Sequence, residues 1–162
     1  MRNADIVTTA IVITGMAGVY VLLAKFARMQ EELEVLPTAS VHKIDLKGLT
    51  LRIDLLMKNP TAGSLKIKFP FVKVYYKDSL VGSSQVVNKD ISIPAYGQVV
   101  VDKILLDLPL TSLLTTAVSM LNAIKKKEPV KLLVKAITTI ITGITDLPLE
   151  KVQEIPLKIS TQ

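Results

Sequence analysis

The sequence contains no cysteine, which removes disulfides, thiolate zinc sites, iron–sulfur ligation and cysteine nucleophiles at once and leaves the redox compartment open. It contains one histidine, His42, too few for imidazole-based metal sites and lacking the placed nucleophile that a catalytic triad requires. Beside Lys43 at the start of a strand, His42 reads as a surface residue. Tryptophan is absent and the aromatics amount to three Phe and four Tyr, a poor supply for stacking nucleic-acid bases or sugars. No GxxxxGK followed by Ser or Thr, no GxGxxG opening a helix, no HExxH and no GxSxG occurs, so the common nucleotide, zinc and serine-hydrolase motifs are missing. The carboxylates are scattered, with no acid/base pair and no calcium loop among them. No enzyme and no cofactor is expected.

What the chain has in quantity is apolar sequence. Its 162 residues are 49% hydrophobic with a mean hydropathy of +0.44, yet 21% are charged, which suits one folded domain and excludes a disordered one. The residues from Ile6 to Ala24, IVTTAIVITGMAGVYVLLA, carry no formal charge. As a helix they span about the 30 Å hydrocarbon core of a bilayer. A signal peptide would need a shorter apolar stretch, a basic start and a small-x-small cleavage site, whereas here Arg2 is offset by Asp5 and Ala24-Lys25-Phe26 offers no such site. A buried core helix would show a polar face. The reading is a short tail at residues 1–5 and an uncleaved transmembrane helix at 6–24, with Gly15, Ala17 and Gly18 as a small-residue face that lacks a strict GxxxG.

Lys25 and Arg28 follow the span at headgroup level, and with Arg2 alone on the other side they place the bulk of the chain in the cytoplasm, or on the equivalent interior side of a virion. Residues 25–37 are good helix formers up to Pro37, which predicts a helical stalk kept in water by Glu31, Glu32 and Glu34. The globular domain is then expected over 38–162. It carries seventeen basic and ten acidic side chains, about +7. Only Arg52 among the basic residues is an arginine, and most of its lysines alternate with apolar residues as solvent-facing strand positions do. No nucleic-acid partner is expected; a bilayer with anionic lipid is.

The domain reads as β structure. In LTLRIDLLMKNP, Leu49, Leu51, Ile53, Leu55 and Met57 share one face and Thr50, Arg52, Asp54 and Lys58 the other, the period of a half-buried strand. SLKIKFPFVKVYYK repeats the pattern with Leu65, Ile67, Phe69 and Phe71, until a slip at Pro70 hands the buried face to Val72, Val74 and Tyr76. SLVGSSQVV, DISIPA, QVVVDKILLDLP, PVKLLVKAITTIITGITDLP and VQEIPLKI follow, separated by turn residues. Several short strands so punctuated predict an antiparallel β-sandwich of about seven strands. One segment differs: LTSLLTTAVSMLNAIKKKE places Leu110, Leu114, Leu121 and Ile124 at helical spacing, with Thr111 or Ser112 as N-cap and Pro129 as stop. This predicts an amphipathic helix near 110–127. Its Lys125, Lys126 and Lys127 complement the helix dipole, or, with Lys25 and Arg28, contact anionic headgroups or an acidic partner.

The order of these elements resembles the water stress and hypersensitive response (WHy) domain of late embryogenesis abundant group 2 proteins. The similarity rests on Asn59-Pro60 ending a strand, Tyr75 with Tyr76, Val81-Gly82, and Ile93-Pro94-Ala95 with Gly97 before a run of valines; Thr61 departs from the Asn usual in the turn. It covers residues 40–109 well and the last fifty loosely. The resemblance implies a seven-stranded antiparallel sandwich with a helix, often behind a membrane anchor, and non-enzymatic roles in stress protection, protein interaction or lipid binding, with no active-site residues to carry over. Asn59 and Pro60 have a sufficient structural role: proline ends the strand, and the Asn side chain satisfies nearby backbone.

Three functions remain. A membrane-tethered module for protein interaction or stress protection predicts a well-filled core. A lipid-binding module predicts a sandwich open at one end beside the helix. A structural protein tying a membrane to an outer protein shell, such as the vertex or capsid of a membrane-containing virus or an envelope complex, predicts fixed stoichiometry in a larger assembly.

Overall fold

The computed structural model describes residues 30–45, 48–109, 115–143 and 145–159, with Gly18, Tyr20, Val21, Ala24, Ala27 and Arg28 ahead of them. Most of the expected span over 6–24 lies outside the described residues, as do the tail 1–5, Lys25, and the helix-start candidates Leu110, Thr111, Ser112 and Leu114. Among the described residues no helix is long and apolar enough to cross a membrane. The described positions from Gly18 to Glu32 are helical, and Tyr20 and Val21 are exposed.

The chain is mainly β. Its strands are β1 (Glu34–Asp45), β2 (Gly48–Lys58), β3 (Leu65–Lys68), β4 (Phe71–Tyr76), β5 (Ser79–Ser83), β6 (Asp90–Ile93) and β7 (Gln98–Pro109); helix α1 (Thr115–Lys125) follows, then β8 (Lys131–Ile141) and β9 (Asp146–Lys158). They form one curled sheet, a half-barrel, in the order β5-β4-β8-β9-β1-β2-β7, with β6-β3 joined to β8. Among the described residues every strand pair but one is antiparallel, in keeping with the expected antiparallel sheets, and the strands number nine where about seven were expected. The two halves are joined by a parallel seam at Ala39 opposite Leu157 and Ser40 opposite Lys158. The curl brings β5 against β7, where a Cβ on Gly82 would stand 3.2 Å from Leu108 Cδ1.

The expected alternation builds the core. Leu51, Ile53, Leu55 and Met57 of β2 have no exposed surface, and Ile67, Val72, Val74 and Leu132 join them from the facing half. At about 1.5–3 kcal/mol for each fully buried aliphatic side chain, this row is the main stabilising element. The slip at Pro70 is real: β3 and β4 lie end to end along β8, and the Thr138 hydroxyl donates to the Lys68 carbonyl at the break. On β7 a bulge puts Asp102 and Lys103 opposite Asp54, whose carboxylate accepts the Lys103 backbone N–H at 2.7 Å. The bulge keeps Val101, Ile104, Leu106 and Leu108 all buried, while Val100 and Leu105 face solvent.

The helical stalk ends sooner than its composition predicts. Leu33 is 1% exposed within the core cluster, and β1 begins at Glu34, so residues 34–37 belong to the sheet rather than to a helical linker. Pairing with β2 supplies hydrogen bonds and burial that the isolated helix would lack. Pro37 pairs with Leu55 of β2, on a stretch of β1 that β9 does not reach, where a missing N–H costs least.

Candidate functional site

The register gives the barrel two distinct ends. The chain enters at Glu34, level with Lys58, and the same end carries the loops 59–64, 94–97 and 142–145. The helix before it is tied there: Gln30 donates to the Pro148 carbonyl, and Lys151 Nζ donates to the Glu31 carbonyl at 3.2 Å. The far end carries the Lys77-Asp78 turn and α1, which packs on β4 and β5 and places Thr116 Oγ1 3.4 Å from Ser79 Oγ.

At the entry end one buried side chain organises two loops. Asn59 is 1% exposed. Its amide donates to Gly63 O at 2.7 Å and Pro94 O at 3.0 Å, its Oδ1 accepts the Thr61 N–H at 3.1 Å and the Thr61 hydroxyl at 2.7 Å, and its backbone N–H reaches Gly97 O at 2.9 Å. Thr61, where the resembling family usually has Asn, thus closes the turn with its hydroxyl. The Tyr96 N–H donates to Thr61 O at 3.0 Å, and Gly97 N–H closes the turn on Pro94 O at 3.1 Å. Tyr96 sits in that turn at φ 52°, a conformation costly for a bulky residue, with its side chain 75% exposed. Gly97 is needed for space: a Cβ there would stand 2.4 Å from Pro94 Cγ.

Sequence reasoning missed Tyr96. It singled out Tyr75 and Tyr76, which the structure places on β4 half-buried and buried. The available signal was position: an aromatic inside an uncharged Pro-Ala-Tyr-Gly turn has no core to enter.

The basic residues do not form one surface. Arg28 lies in the helix ahead of the entry end, whereas Lys125, Lys126 and Lys127 end α1 at the far end. β8 alone, eleven residues long, separates the ends by roughly 35 Å, several times a Debye length of about 8 Å. Lys125 to Lys127 have a local role. Lys127 takes φ 58°, its N–H donates to Ile124 O at 3.0 Å, and Glu128 N–H donates to Ala123 O at 2.9 Å, the Schellman arrangement that ends a helix.

Elsewhere, strand lysines face carboxylates across the outer surface: Lys66 and Lys68 flank Asp90, Lys131 meets Glu154 and Lys135 meets Glu150. Hydrogen bonds from Lys68, then Lys66, hold the Asp90 carboxyl below its ordinary range. Among the described residues no three His, Asp or Glu side chains converge to hold a metal. The described depressions are shallow and open; one of about 300 Å³ lies between Glu34, Asn59 and Tyr96, and another of about 310 Å³ between β6 and β7.

No family model and no curated protein matches the sequence. Solved structures do. A protein of Archaeoglobus fulgidus is 12% identical with a TM-score of 0.50, over 80% of this chain and 99% of that one. A protein of Arabidopsis thaliana is 14% identical with a TM-score of 0.51, over 81% and 83%. The fold is shared. A candidate late embryogenesis abundant (LEA) protein is 19% identical over 91% and 88% of the two chains, with a TM-score of 0.35. At these identities the first two likenesses concern architecture and carry no site residue across.

Proposed function

We propose that this chain is a non-enzymatic module of the late embryogenesis abundant group 2, WHy type, anchored by its N-terminal segment, whose surface engages other proteins. The observation that carries the reading is the filled interior. Core side chains from both halves of the curled sheet sit at or near zero exposure, and every buried side-chain polar atom among the described residues has a partner. Close-packed interiors leave no room for an acyl chain, and the described depressions are open to solvent. This favours presentation of surface over enclosure of a lipid. Carboxylates spent on cross-strand lysine pairs also suit a scaffold better than an acid/base catalyst. The motif order from Asn59-Pro60 to Gly97 supports the WHy assignment, and the anchoring rests on the uncharged run from Ile6 to Ala24.

Long strands such as β2 and β8 run from the entry end to the far end, which also fits the reading of a tether between a membrane and an outer protein layer. Native mass spectrometry of a chain beginning at Gln30, purified without detergent, tests the module. A ligand-free mass is expected, and a stoichiometric lipid adduct would refute the filled-core argument. Alkaline carbonate extraction of the full chain tests the anchor: retention in the membrane pellet is expected, and release refutes it. Recovery in fixed stoichiometry with a larger assembly would select the tether.

A further inference from the structure

The two ends of the barrel differ in chemistry. The entry-end loops read Pro60-Thr-Ala-Gly-Ser64, Pro94-Ala-Tyr-Gly97 and Thr142-Gly-Ile-Thr145, without one charged residue. The far end reads Lys77-Asp78 at its hairpin and Lys125-Lys-Lys-Glu128 after α1. Beyond these loops the entry end carries the exposed carboxylates Glu31 and Glu32 on the preceding helix and Asp146 at the start of β9, and Lys58 pairs with Glu34 at 3.6 Å. Among the described residues Tyr96 is the most exposed large hydrophobic side chain of the barrel's entry end, and Asn59 ties loop 59–64 to its loop.

We propose that the entry end is a bilayer-docking face, with Tyr96 and the uncharged loops 59–64 and 94–97 resting at headgroup level. The proposal builds on the anchoring proposed above and says what the domain does once anchored. Tyrosine is favoured at that level because its ring is apolar and its hydroxyl stays wet. Uncharged loops approach the interface without the desolvation cost that charges incur. The lengths agree: the nine residues from Ala24 to Leu33 rise about 14 Å as a helix, and the headgroup layer takes up roughly 6 Å of that. The remaining gap, about 8 Å at helical rise, is one that loops projecting past the strand ends with a tyrosine at their tip can close. Lys125 to Lys127 then face away from the bilayer and stay free for soluble partners.

The chain has no tryptophan, so Tyr96→Trp introduces a single fluorophore at the proposed contact. The full-length variant is reconstituted into vesicles of phosphatidylcholine and phosphatidylserine, and compared with Lys126→Trp at the far end. Tyr96→Trp emission is expected to shift to the blue and to lose intensity when the lipids are brominated near the headgroups, while Lys126→Trp emission stays unshifted and unquenched. Ala95→Trp, beside Tyr96 and free of its positive φ, repeats the test without strain and is expected to respond in the same way. If both loop variants float with the vesicles but emit like the far-end variant, the docking face is refuted and the anchor stands. If the chains do not float with the vesicles, the anchoring is refuted and the docking face falls with it.

Discussion

Replacing Asn59 by alanine removes more hydrogen bonding than any other single side-chain truncation at the entry end. Three bonds disappear: the amide to Gly63 O, the amide to Pro94 O, and Oδ1 from the Thr61 N–H. A fourth reroutes, because the Thr61 hydroxyl already lies 3.1 Å from Gly63 O. At about 1 kcal/mol per net bond, with water entering part of the vacated space, the loss is about 2–3 kcal/mol. For a domain of this size that lowers Tm by roughly 8–12 °C. Asn59→Asp separates the donors from the acceptor. A carboxylate keeps the Thr61 contacts but faces the Gly63 and Pro94 carbonyls with no proton to offer, so its pKa in the fold is raised above that of the unfolded chain. Relative to the parent, the variant is therefore least destabilised at low pH, where the acid is protonated, and the deficit grows as pH rises through the raised value. Urea denaturation followed by circular dichroism, at neutral and acidic pH, measures both. An Asn59→Ala chain within about 0.5 kcal/mol of the parent, the range of ordinary surface changes, would refute the claim that this amide holds the two loops together.

Other substitutions probe the same fold. Gly97→Ala drives a Cβ to 2.4 Å from Pro94 Cγ and should cost about 1–3 kcal/mol in denaturant titration. Lys127→Gly relieves the φ of 58° at the end of α1 and should stabilise by about 0.5–1 kcal/mol, seen as a higher Tm. Asp90 has its carboxyl held down by Lys68 and Lys66, so its contribution is present above the unfolded pKa of about 4 and is lost as pH falls through the lower folded value. Asp90→Asn should flatten the acid limb of the stability profile in that window, and an NMR titration of the parent carboxyl locates the midpoint.

Local periodicity made the core readable wherever one strand has one buried face. β2 is the clearest case, since Leu49 to Met57 alternate without interruption and all are buried. The break at Pro70 was equally visible, because proline and a change of phase coincide. β1 was hidden because Glu31 to Leu36 have good helix propensity and Pro37 looks like a stop; only pairing with the distant Leu55 overrides that preference. The curl was illegible for a related reason. A two-residue parallel seam between strands more than a hundred positions apart leaves no trace in either strand's alternation. At the candidate site, Asn59 announced its structural role through proline and turn chemistry, whereas Tyr96 acquires meaning only when three loops from different parts of the chain meet at one end. The lysine run after α1 was legible as a helix ending, and the left-handed Lys127 with its Schellman bonds is the form that ending takes.

The direction of β1 has a mechanical corollary. A pull between the N-terminal segment and anything held at α1 acts along the strand axis, from Glu34 toward Asp45, while the rungs joining β1 to β2 run across it from Glu34–Lys58 to Asp45–Gly48. Such a load shears the whole ladder together instead of peeling it from one end. The domain is strongest along the line that joins its N-terminal entry to α1.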